Sequence, residues 1–273
     1  MIRAFVWGTS AAVAGAGLLA LGFLAGQPAT ASGLNAPDMM TVAATDTPMD
    51  RQQVETIVRE YLLANPEILL EVQQALDTKQ KEEQRVAQTE IIKSAKDEIF
   101  ASPHDGIIGN PNGKVTIVEF YDYNCGYCKR AQQDMLDLVA ADSDLRFVLK
   151  EFPILGPDSQ KAHVVAQAFM KLHPEKYEEY HNRLIVEPGR AGEESAMKLA
   201  LDMGADETKM REQMKDPSIQ EAFAKTYELA QKLSITGTPS YVVGNEVVFG
   251  ALGRDVLAEK IETARACIAD ATC

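Results

Sequence analysis

The pattern of apolar and polar positions divides this chain into a helical N-terminal part and a part in which strands and helices alternate. From Asp50 to Leu76, apolar residues recur every three to four positions and predict two helices. The break falls at Asn65-Pro66, with Asn65 as the N-cap of the second helix and Pro66 at its first position. The stretch from Lys79 to Lys96 is dense in Lys, Glu and Gln and predicts a solvated helix. From Ile107 onwards, short apolar runs alternate with longer amphipathic stretches, which predicts an α/β fold.

The second part contains the signals of a sheet with a helical block inserted into it. The predicted strands are Lys114–Tyr121, Leu145–Lys150, Ser240–Val243 and Glu246–Phe249, and Gly244-Asn245 is a hairpin turn between the last two. The predicted helices are Lys129–Val139, a helical block over about residues 158–233, and Arg254–Ile268.

The first 31 residues have the organisation of a secretory signal peptide. Arg3 precedes an apolar stretch rich in Ala, Gly and Leu, and Ala29-Thr30-Ala31 forms a small-x-small cleavage site. The alternative is an uncleaved membrane anchor, because the apolar stretch is nearly long enough to span a bilayer. Residues 32–48 carry turn-forming residues and predict a flexible tether. We therefore expect a soluble mature chain in the bacterial periplasm, an oxidising compartment in which disulfides persist.

The charge of the chain narrows its range of partners. The formal net charge is −13, and cleavage after residue 31 removes only one charged residue, Arg3, which gives −14. So acidic a protein is repelled by phosphate backbones and by anionic lipid. The composition therefore argues against nucleic acid as a partner.

The apolar stripe of the N-terminal helices requires a partner surface. Two short helices cannot bury this stripe between themselves, and an isolated helix pair of this size is marginally stable. The stripe consists of Val54, Ile57, Val58, Tyr61, Leu62, Leu69, Val72 and Leu76. One interpretation is association with other copies of the chain, with the charged stretch after it as a spacer. The other is docking onto the main domain of the same chain.

Cys125-Gly126-Tyr127-Cys128 carries the strongest chemical signal. The pair lies between a predicted strand and a predicted helix, so the first sulfur is expected at the helix N-terminus, where unpaired N–H groups favour a thiolate. A thiolate is the species that attacks disulfides. The alternatives are half of a zinc site, which needs further ligands, and a static disulfide, which gains little from so short a loop. The junction favours thiol-disulfide exchange over both.

These motifs, taken in order, resemble the DsbA-like branch of the thioredoxin superfamily. The resemblance covers about residues 105–268 and rests on the strand, the Cys pair, the helical block and Thr238-Pro239 before the hairpin. It implies a thioredoxin-like fold with an inserted helical domain, here residues 105–273 with the insertion at about 158–233. It also implies that Pro239 is cis and lies beside Cys125.

The N-terminal part is similar to the corresponding segment of the ScsC group, the suppressor of copper sensitivity proteins C. The similarity lies in the run from Val54 to Glu67, and in that group the segment is associated with multimers, trimers among them. It implies an oligomerisation segment at residues 49–78, followed by a charged helical linker at 79–104. Trimer over dimer rests on this resemblance alone.

The resemblance and the residues together assign roles at the site. Cys125 is expected to be the nucleophile and Cys128 the resolving thiol. Glu119 interrupts an apolar strand six residues before Cys125, where family members carry a buried acid that can exchange a proton with the second cysteine. Lys129 and Arg130 follow the pair and could steady a thiolate, although their usual role is a solvated face.

The family context also bears on the reaction and its partners. Gly-Tyr between the cysteines and Thr238 before Pro239 are similar to DsbC-type isomerases, whereas the oxidase DsbA carries Pro-His. The resulting hypothesis is a disulfide isomerase or reductase, with a DsbA-type oxidase as an alternative. Its partners would be exported proteins with thiols or non-native disulfides, a membrane redox partner and further copies of the chain. No cofactor beyond the redox-active disulfide is expected.

Two further interpretations concern cysteines. Cys125 and Cys128 are soft ligands that suit Cu(I), so a copper-binding role in copper tolerance is an alternative function for the same pair. Cys267 and Cys273 lie at the C-terminus, and in an oxidising compartment they are expected to form a small structural disulfide rather than to remain free thiols. A second redox pair is a further alternative for them.

Overall fold

The computed structural model describes residues 49–270. The predicted signal peptide and tether, residues 1–48, lie outside the described residues, as do residues 271–273. Among the residues that are described, no helix combines the length and the apolar character needed to cross a bilayer.

The predicted elements occur in the predicted order, and one further strand, at residues 106–109, was not predicted. The elements are α1 (Arg51–Ala64), α2 (Ile68–Ser94), α3 (Lys96–Phe100), β1 (Gly106–Gly109), β2 (Val115–Tyr121), α4 (Gly126–Ala141), β3 (Leu145–Glu151), α5 (Pro157–Leu172), a 3₁₀ turn (Pro174–Lys176), α6 (Tyr177–Ile185), α7 (Glu193–Asp202), α8 (Glu207–Gln213), α9 (Pro217–Lys232), β4 (Ser240–Val243), β5 (Glu246–Phe249) and α10 (Arg254–Ala269).

The chain divides into two units, residues 1–59 and residues 60–273, and α1 crosses the boundary between them. In the first unit, the stripe residues Val54, Ile57 and Val58 are 42–53% exposed. In the second unit, the stripe residues Tyr61, Leu69, Val72 and Leu76 are 46–60% exposed. In each unit, apolar side chains exposed to water in this way mark an interaction surface.

The break between α1 and α2 differs in detail from the prediction. The predicted N-cap, Asn65, donates its Nδ2–H to the carbonyl of Tyr61 at 2.9 Å and so closes the end of α1. Glu67 is the N-cap residue of α2, and its side chain makes no capping hydrogen bond. Asn65 therefore ends the first helix instead of starting the second.

The segment predicted as a charged helical linker, residues 79–104, is helical over most of its length, and α2 runs through residues 78 and 79 as one helix of 27 residues. The expectation that this helix is solvated fails at its end, because Ile92 (3% exposed) and Ile99 of α3 (0%) belong to the core of the main domain. Gln88 is also buried and donates its Nε2–H to the carbonyl of Leu233 at 2.8 Å. The few apolar residues among the charged ones are enough to dock this segment.

The sheet has five strands in the order β1-β3-β2-β4-β5. The central strand β2 pairs in parallel with β3 and antiparallel with β4, while β1 and β5 are antiparallel edge strands. A parallel pair needs a crossover connection, which α4 provides between β2 and β3. The active-site candidates at the end of β2 therefore lie at the centre of the sheet.

Alternation along β2 divides its side chains between two cores. Ile117 and Tyr121 belong to one core, with Met135 of α4 and Ile261 of α10. Val118 and Phe120 belong to the other, with residues of α3 and α9. Because side chains on a strand alternate in direction, Glu119 points to the same side as Ile117 and Tyr121. This is the side on which α4 packs.

The inserted helices α5–α9 span residues 157–232, in close agreement with the predicted block at about 158–233. Helix α5 is the centre of the insertion, and Ala162, Val165 and Phe169 on it are fully buried. The insertion begins directly after β3, beside the end of β2. This topology places its first residues near the cysteine pair.

Candidate active site

Cys125 is the N-cap residue of α4, as expected for a nucleophile at a helix N-terminus. Its sulfur accepts a hydrogen bond from the backbone N–H of Cys128 at 3.3 Å, and as a thiol it donates to the carbonyl of Thr238 at 3.1 Å. Hydrogen bonds from the Cys128 thiol and the Thr238 side chain, with the backbone N–H groups of Cys128 and Tyr127, lower the pKa of Cys125 from 9.0 to about 6. Cys125 is therefore largely a thiolate at neutral pH.

Cys128 is held in the opposite state. It is 2% exposed, and burial raises its pKa far above the ordinary value, assisted by the hydrogen bond with Cys125 and by the negative charge of Glu119. Both cysteines are free thiols. The first sulfur is thus charged and the second is protonated and covered, which is the asymmetry that attack followed by resolution requires.

Glu119 is buried, 5% exposed, as the sequence predicts. It pairs with Leu149 of β3 and Tyr241 of β4, so it lies in the middle of the sheet. Burial, followed by the charge of Cys125, raises its pKa from 4.5 to about 8. A carboxyl group that is protonated at neutral pH and interacts with both sulfurs can give or take a proton there.

The loop before the hairpin completes the site. The Thr238–Pro239 peptide bond is cis, as the family resemblance implies. The Pro239 carbonyl accepts a hydrogen bond from the N–H of Gly250 at 2.9 Å, which ties the loop to the end of β5. Thr238 contacts Cys125 through its carbonyl, so the structure brings together all five predicted site residues: Cys125, Cys128, Glu119, Thr238 and Pro239.

Lys129 and Arg130, which follow the cysteine pair, do not contact the Cys125 sulfur but bind elsewhere. Lys129 Nζ donates to the carbonyls of Glu187 at 2.8 Å and Gly189 at 3.1 Å, in the loop between α6 and α7. The guanidinium of Arg130 lies 4.2 Å above the ring of Tyr127. Neither contact involves a sulfur. Tyr127 itself is 60% exposed between the cysteines.

A buried polar cluster of tyrosines, histidines and Glu151 lies beside the site, and the sequence pattern did not predict it. The hydroxyl of Tyr121 contacts Glu151 Oε1 and the hydroxyls of Tyr123 and Tyr177, each at 3.2 Å. His163 Nδ1 lies 3.2 Å from Glu151 Oε2. His181 Nδ1 lies 3.3 Å from the Tyr123 hydroxyl, and burial lowers its pKa from 6.5 to about 3. The alternation of tyrosines at 121 and 123 just before the cysteines was the available signal.

Two further predictions concern metal binding and the C-terminal cysteines. Within residues 49–270, no group of three or more His, Cys, Asp or Glu side chains could hold a metal ion. Cys267 lies in α10, but Cys273 lies outside the described residues. The disulfide between them stays a prediction.

The low pKa of Cys125 predicts a specific pH dependence of alkylation. The rate of reaction with iodoacetamide should rise with a midpoint near pH 6 at Cys125, because only the thiolate reacts, and Cys128 should remain unmodified. By linkage, the thiolate contributes stability to the reduced fold above the ordinary cysteine pKa, and this stability is lost as the pH falls through about 6. Peptide mass spectrometry after brief labelling from pH 4 to 9 measures the midpoint. A midpoint near the ordinary value of about 8.5 would contradict the geometry.

Two family models match this chain. One, described as the DSBA-like thioredoxin domain, matches residues 116–262. The other, described as the Copper resistance protein ScsC N-terminal domain, matches residues 50–83.

Known proteins are similar over the same regions. Disulfide bond formation protein D of Bacillus subtilis is 28% identical over 166 residues, which cover 57% of this chain and 75% of that protein. The crystal structure of a thioredoxin-like oxidoreductase from Silicibacter pomeroyi is 38% identical, with a TM-score of 0.59, and the match covers 62% of this chain and 97% of that one. A linker-deletion variant of Proteus mirabilis ScsC is 26% identical, with a TM-score of 0.62, and the match covers 81% of this chain and 99% of that one.

Proposed function

Because this chain belongs to the DsbA-like thioredoxin family and is a thiol-disulfide oxidoreductase, we propose that it acts in the periplasm as a disulfide isomerase or reductase. Its substrates are proteins with thiols or disulfides, and under this proposal they are exported proteins with non-native disulfides. Export would follow from residues 1–31 as a cleaved signal peptide, and a membrane redox partner would keep the pair reduced.

The observation that carries this proposal is the exposed apolar face of the N-terminal helices. That face coincides with the match to the ScsC N-terminal domain at residues 50–83. Association through it, as a homotrimer, would place several Cys125 thiolates around one misfolded substrate. Linked sites raise the effective concentration of the second thiol after the first has reacted, which favours reshuffling over single-step oxidation.

The pKa of the Cys125 thiol also favours an isomerase or reductase over an oxidase. A thiolate stabilises the reduced form of the pair, so a lower pKa makes the disulfide a stronger oxidant. The pKa of about 6 for Cys125 lies closer to the value of about 7 in thioredoxin than to about 3.5 in DsbA. We therefore expect a reduction potential more negative than the roughly −120 mV of DsbA.

Two measurements test the proposal together. The potential of the 125–128 pair is measured against glutathione buffers, and scrambled ribonuclease A is incubated with the reduced protein. A more negative potential with recovery of ribonuclease activity supports an isomerase. A potential near about −120 mV without recovery identifies an oxidase instead, and a more negative potential without recovery leaves the reductase activity.

The cysteine pair also favours a second candidate function, Cu(I) binding. Cys125 supplies a thiolate at neutral pH, and Cys128 would lose its proton on coordination, since thiolates are soft ligands for Cu(I). The match to a copper resistance protein's N-terminal domain gives this candidate its context. Competition with bathocuproine disulfonate tests it: stoichiometric binding lost in Cys125→Ser supports a copper role.

Glu119→Gln is expected to slow resolution at Cys128 by about tenfold or more while the fold is retained. Glutamine keeps the shape of the side chain but cannot exchange a proton with the buried thiol. Because the pKa of Glu119 is about 8, the loss should be largest around pH 8, where the wild-type carboxyl can both give and take a proton. Stopped-flow reduction of a peptide disulfide gives the rate. Glu228→Gln, an exposed site on α9, is the matched control, and equal rates for all three proteins would remove Glu119 from the mechanism.

A further inference from the structure

The turn that precedes Cys125 is built by hydrogen bonds to Asp122. The Asp122 carbonyl accepts from the N–H of Cys125 at 2.9 Å, and Asp122 Oδ1 accepts from the N–H of Asn124 at 2.8 Å. This turn carries the chain from the end of β2 to the N-cap of α4. The position of the Cys125 sulfur therefore depends on the conformation of residues 122–124.

The side chain of Asn124 joins this turn to the helical insertion. Its Oδ1 accepts from the N–H of Ala191 at 2.7 Å, and its Nδ2 donates to the carbonyl of Ala191 at 2.9 Å. Nδ2 also donates to Ser159 Oγ at 3.0 Å. The amide thus uses its acceptor oxygen and both of its N–H groups on residues of the insertion, which leaves it a single orientation.

Asp122 is hydrogen-bonded to the insertion and to the segment that leads from β3 into it. Ser159 is fully buried and donates its hydroxyl to Asp122 Oδ1 at 2.8 Å, and the N–H of Leu155 donates to Asp122 Oδ2 at 2.9 Å. Ser159 therefore links Asp122 and Asn124 in one closed ring of hydrogen bonds. Its oxygen belongs to α5, so the ring ties the active-site turn to the first helix of the insertion.

We propose that Asn124 is a positioning residue for the nucleophile: through Ala191 and Ser159 it fixes the turn before Cys125 to the helical insertion and so holds the sulfur at the N-terminus of α4. The insertion then acts on the chemistry of Cys125 in addition to flanking it. In this position the sulfur accepts a hydrogen bond from the Cys128 N–H and lies against the Thr238 carbonyl. Release of the turn would let the sulfur move away from the Cys128 N–H, and the thiolate would lose stabilisation.

This inference rests on Cys125 as the exchanging thiol of the proposed function, so its test must separate the two. The pKa of the Cys125 thiol is measured by the pH dependence of alkylation, which needs no catalysis. Exchange with glutathione disulfide is measured in parallel, because this small substrate does not need the apolar surface around the site. A wild-type protein without exchange activity would contradict the proposed function, and the pKa comparison would still decide the role of Asn124.

Asn124→Ala removes all three side-chain bonds and is expected to raise the pKa of Cys125 by about half a unit to one unit. The rate of glutathione disulfide exchange at pH 6 should fall about three- to tenfold, because the thiolate fraction falls and its placement is less defined. Ser159→Ala removes only the α5 link and should shift the pKa in the same direction by less.

Gln133→Ala is the matched control, because it deletes an exposed side-chain amide of α4 that bonds Asp137 and not the insertion. It should leave both quantities unchanged. The proposal is overturned if Asn124→Ala lowers the melting temperature but leaves the pKa and the exchange rate at wild-type values, since that is the behaviour of a purely structural contact. If Asn124→Ala does not fold, Ser159→Ala decides by the same two readouts.

Discussion

Cys125→Ser is expected to abolish thiol exchange, whereas Cys128→Ser is expected to accumulate mixed disulfides with substrate. Only Cys125 combines a thiolate at neutral pH with a position at the helix end, while Cys128 is covered and protonated. Loss of the nucleophile should lower the rate of insulin reduction on the order of a thousandfold or more. Without Cys128, the substrate disulfide that forms at Cys125 has no internal thiol to resolve it.

Non-reducing electrophoresis and mass spectrometry after incubation with an oxidised peptide measure the trapped species. The matched control removes the other two cysteines, Cys267→Ser with Cys273→Ser, and should retain exchange at the first pair. Insulin reduction at the wild-type rate by Cys125→Ser would show that Cys125 is not the nucleophile. Accumulation of mixed disulfides in the control would show that Cys128 is not the resolving thiol.

A chain that begins at Lys79 is expected to be monomeric, to keep thiol exchange and to lose most isomerase activity. It lacks the exposed stripe residues but retains Gln88, Ile92 and Ile99, which dock the end of α2 and α3 on the sheet. A chain that begins near residue 100 would also lose Ile92 and Ile99, and removal of two buried isoleucines would destabilise the domain by about 4 kcal/mol or more. The choice of end point therefore decides whether the experiment reports on assembly or on folding.

A full-length variant separates loss of assembly from loss of length. Val72→Glu places a charge within the exposed stripe, and Gln73→Glu places the same charge at the adjacent, polar position of α2. Light scattering should show dissociation for the first and not for the second, with recovery of scrambled ribonuclease lost in parallel. A monomeric wild-type protein, or a Lys79 chain that remains multimeric, would contradict assembly through this face.

The expectation of a thioredoxin-like fold with an inserted helical domain is confirmed, and local patterns account for much of it. Runs of apolar residues predict strand β2 and helix α10, and Gly244-Asn245 predicts the hairpin of β4 and β5. Each of these signals lies within a few neighbouring residues of the chain. The placement of Cys125 follows from its position at a junction. Thr238 beside Cys125 followed only from the family resemblance, because nothing local relates residues 113 positions apart.

The features that the sequence did not predict have a common physical cause: a few side chains decide whether a helix packs against the rest of the domain. The segment from Gln88 to Phe100 has the composition of a solvated helix, yet Ile92 and Ile99 suffice to bury one side of it against the sheet. In the same way, His163 and His181 are polar residues on helices, and the sequence does not show that they face Tyr121 and Tyr123. Composition averages over a helix, whereas burial depends on single faces.

The pairing of β2 with β4 has a consequence for the newly made chain. A polypeptide that emerges from its N-terminus exposes Cys125 and Cys128 more than a hundred residues before Thr238 and the hairpin arrive. Until then β2 lacks one neighbour, the sulfur lacks its Thr238 contact, and α4 alone is too short to be stable in water. During synthesis the thiol should therefore titrate near the ordinary value of about 8.5 and attack few disulfides at neutral pH. The enzyme acquires its reactivity only when its last strands are in place.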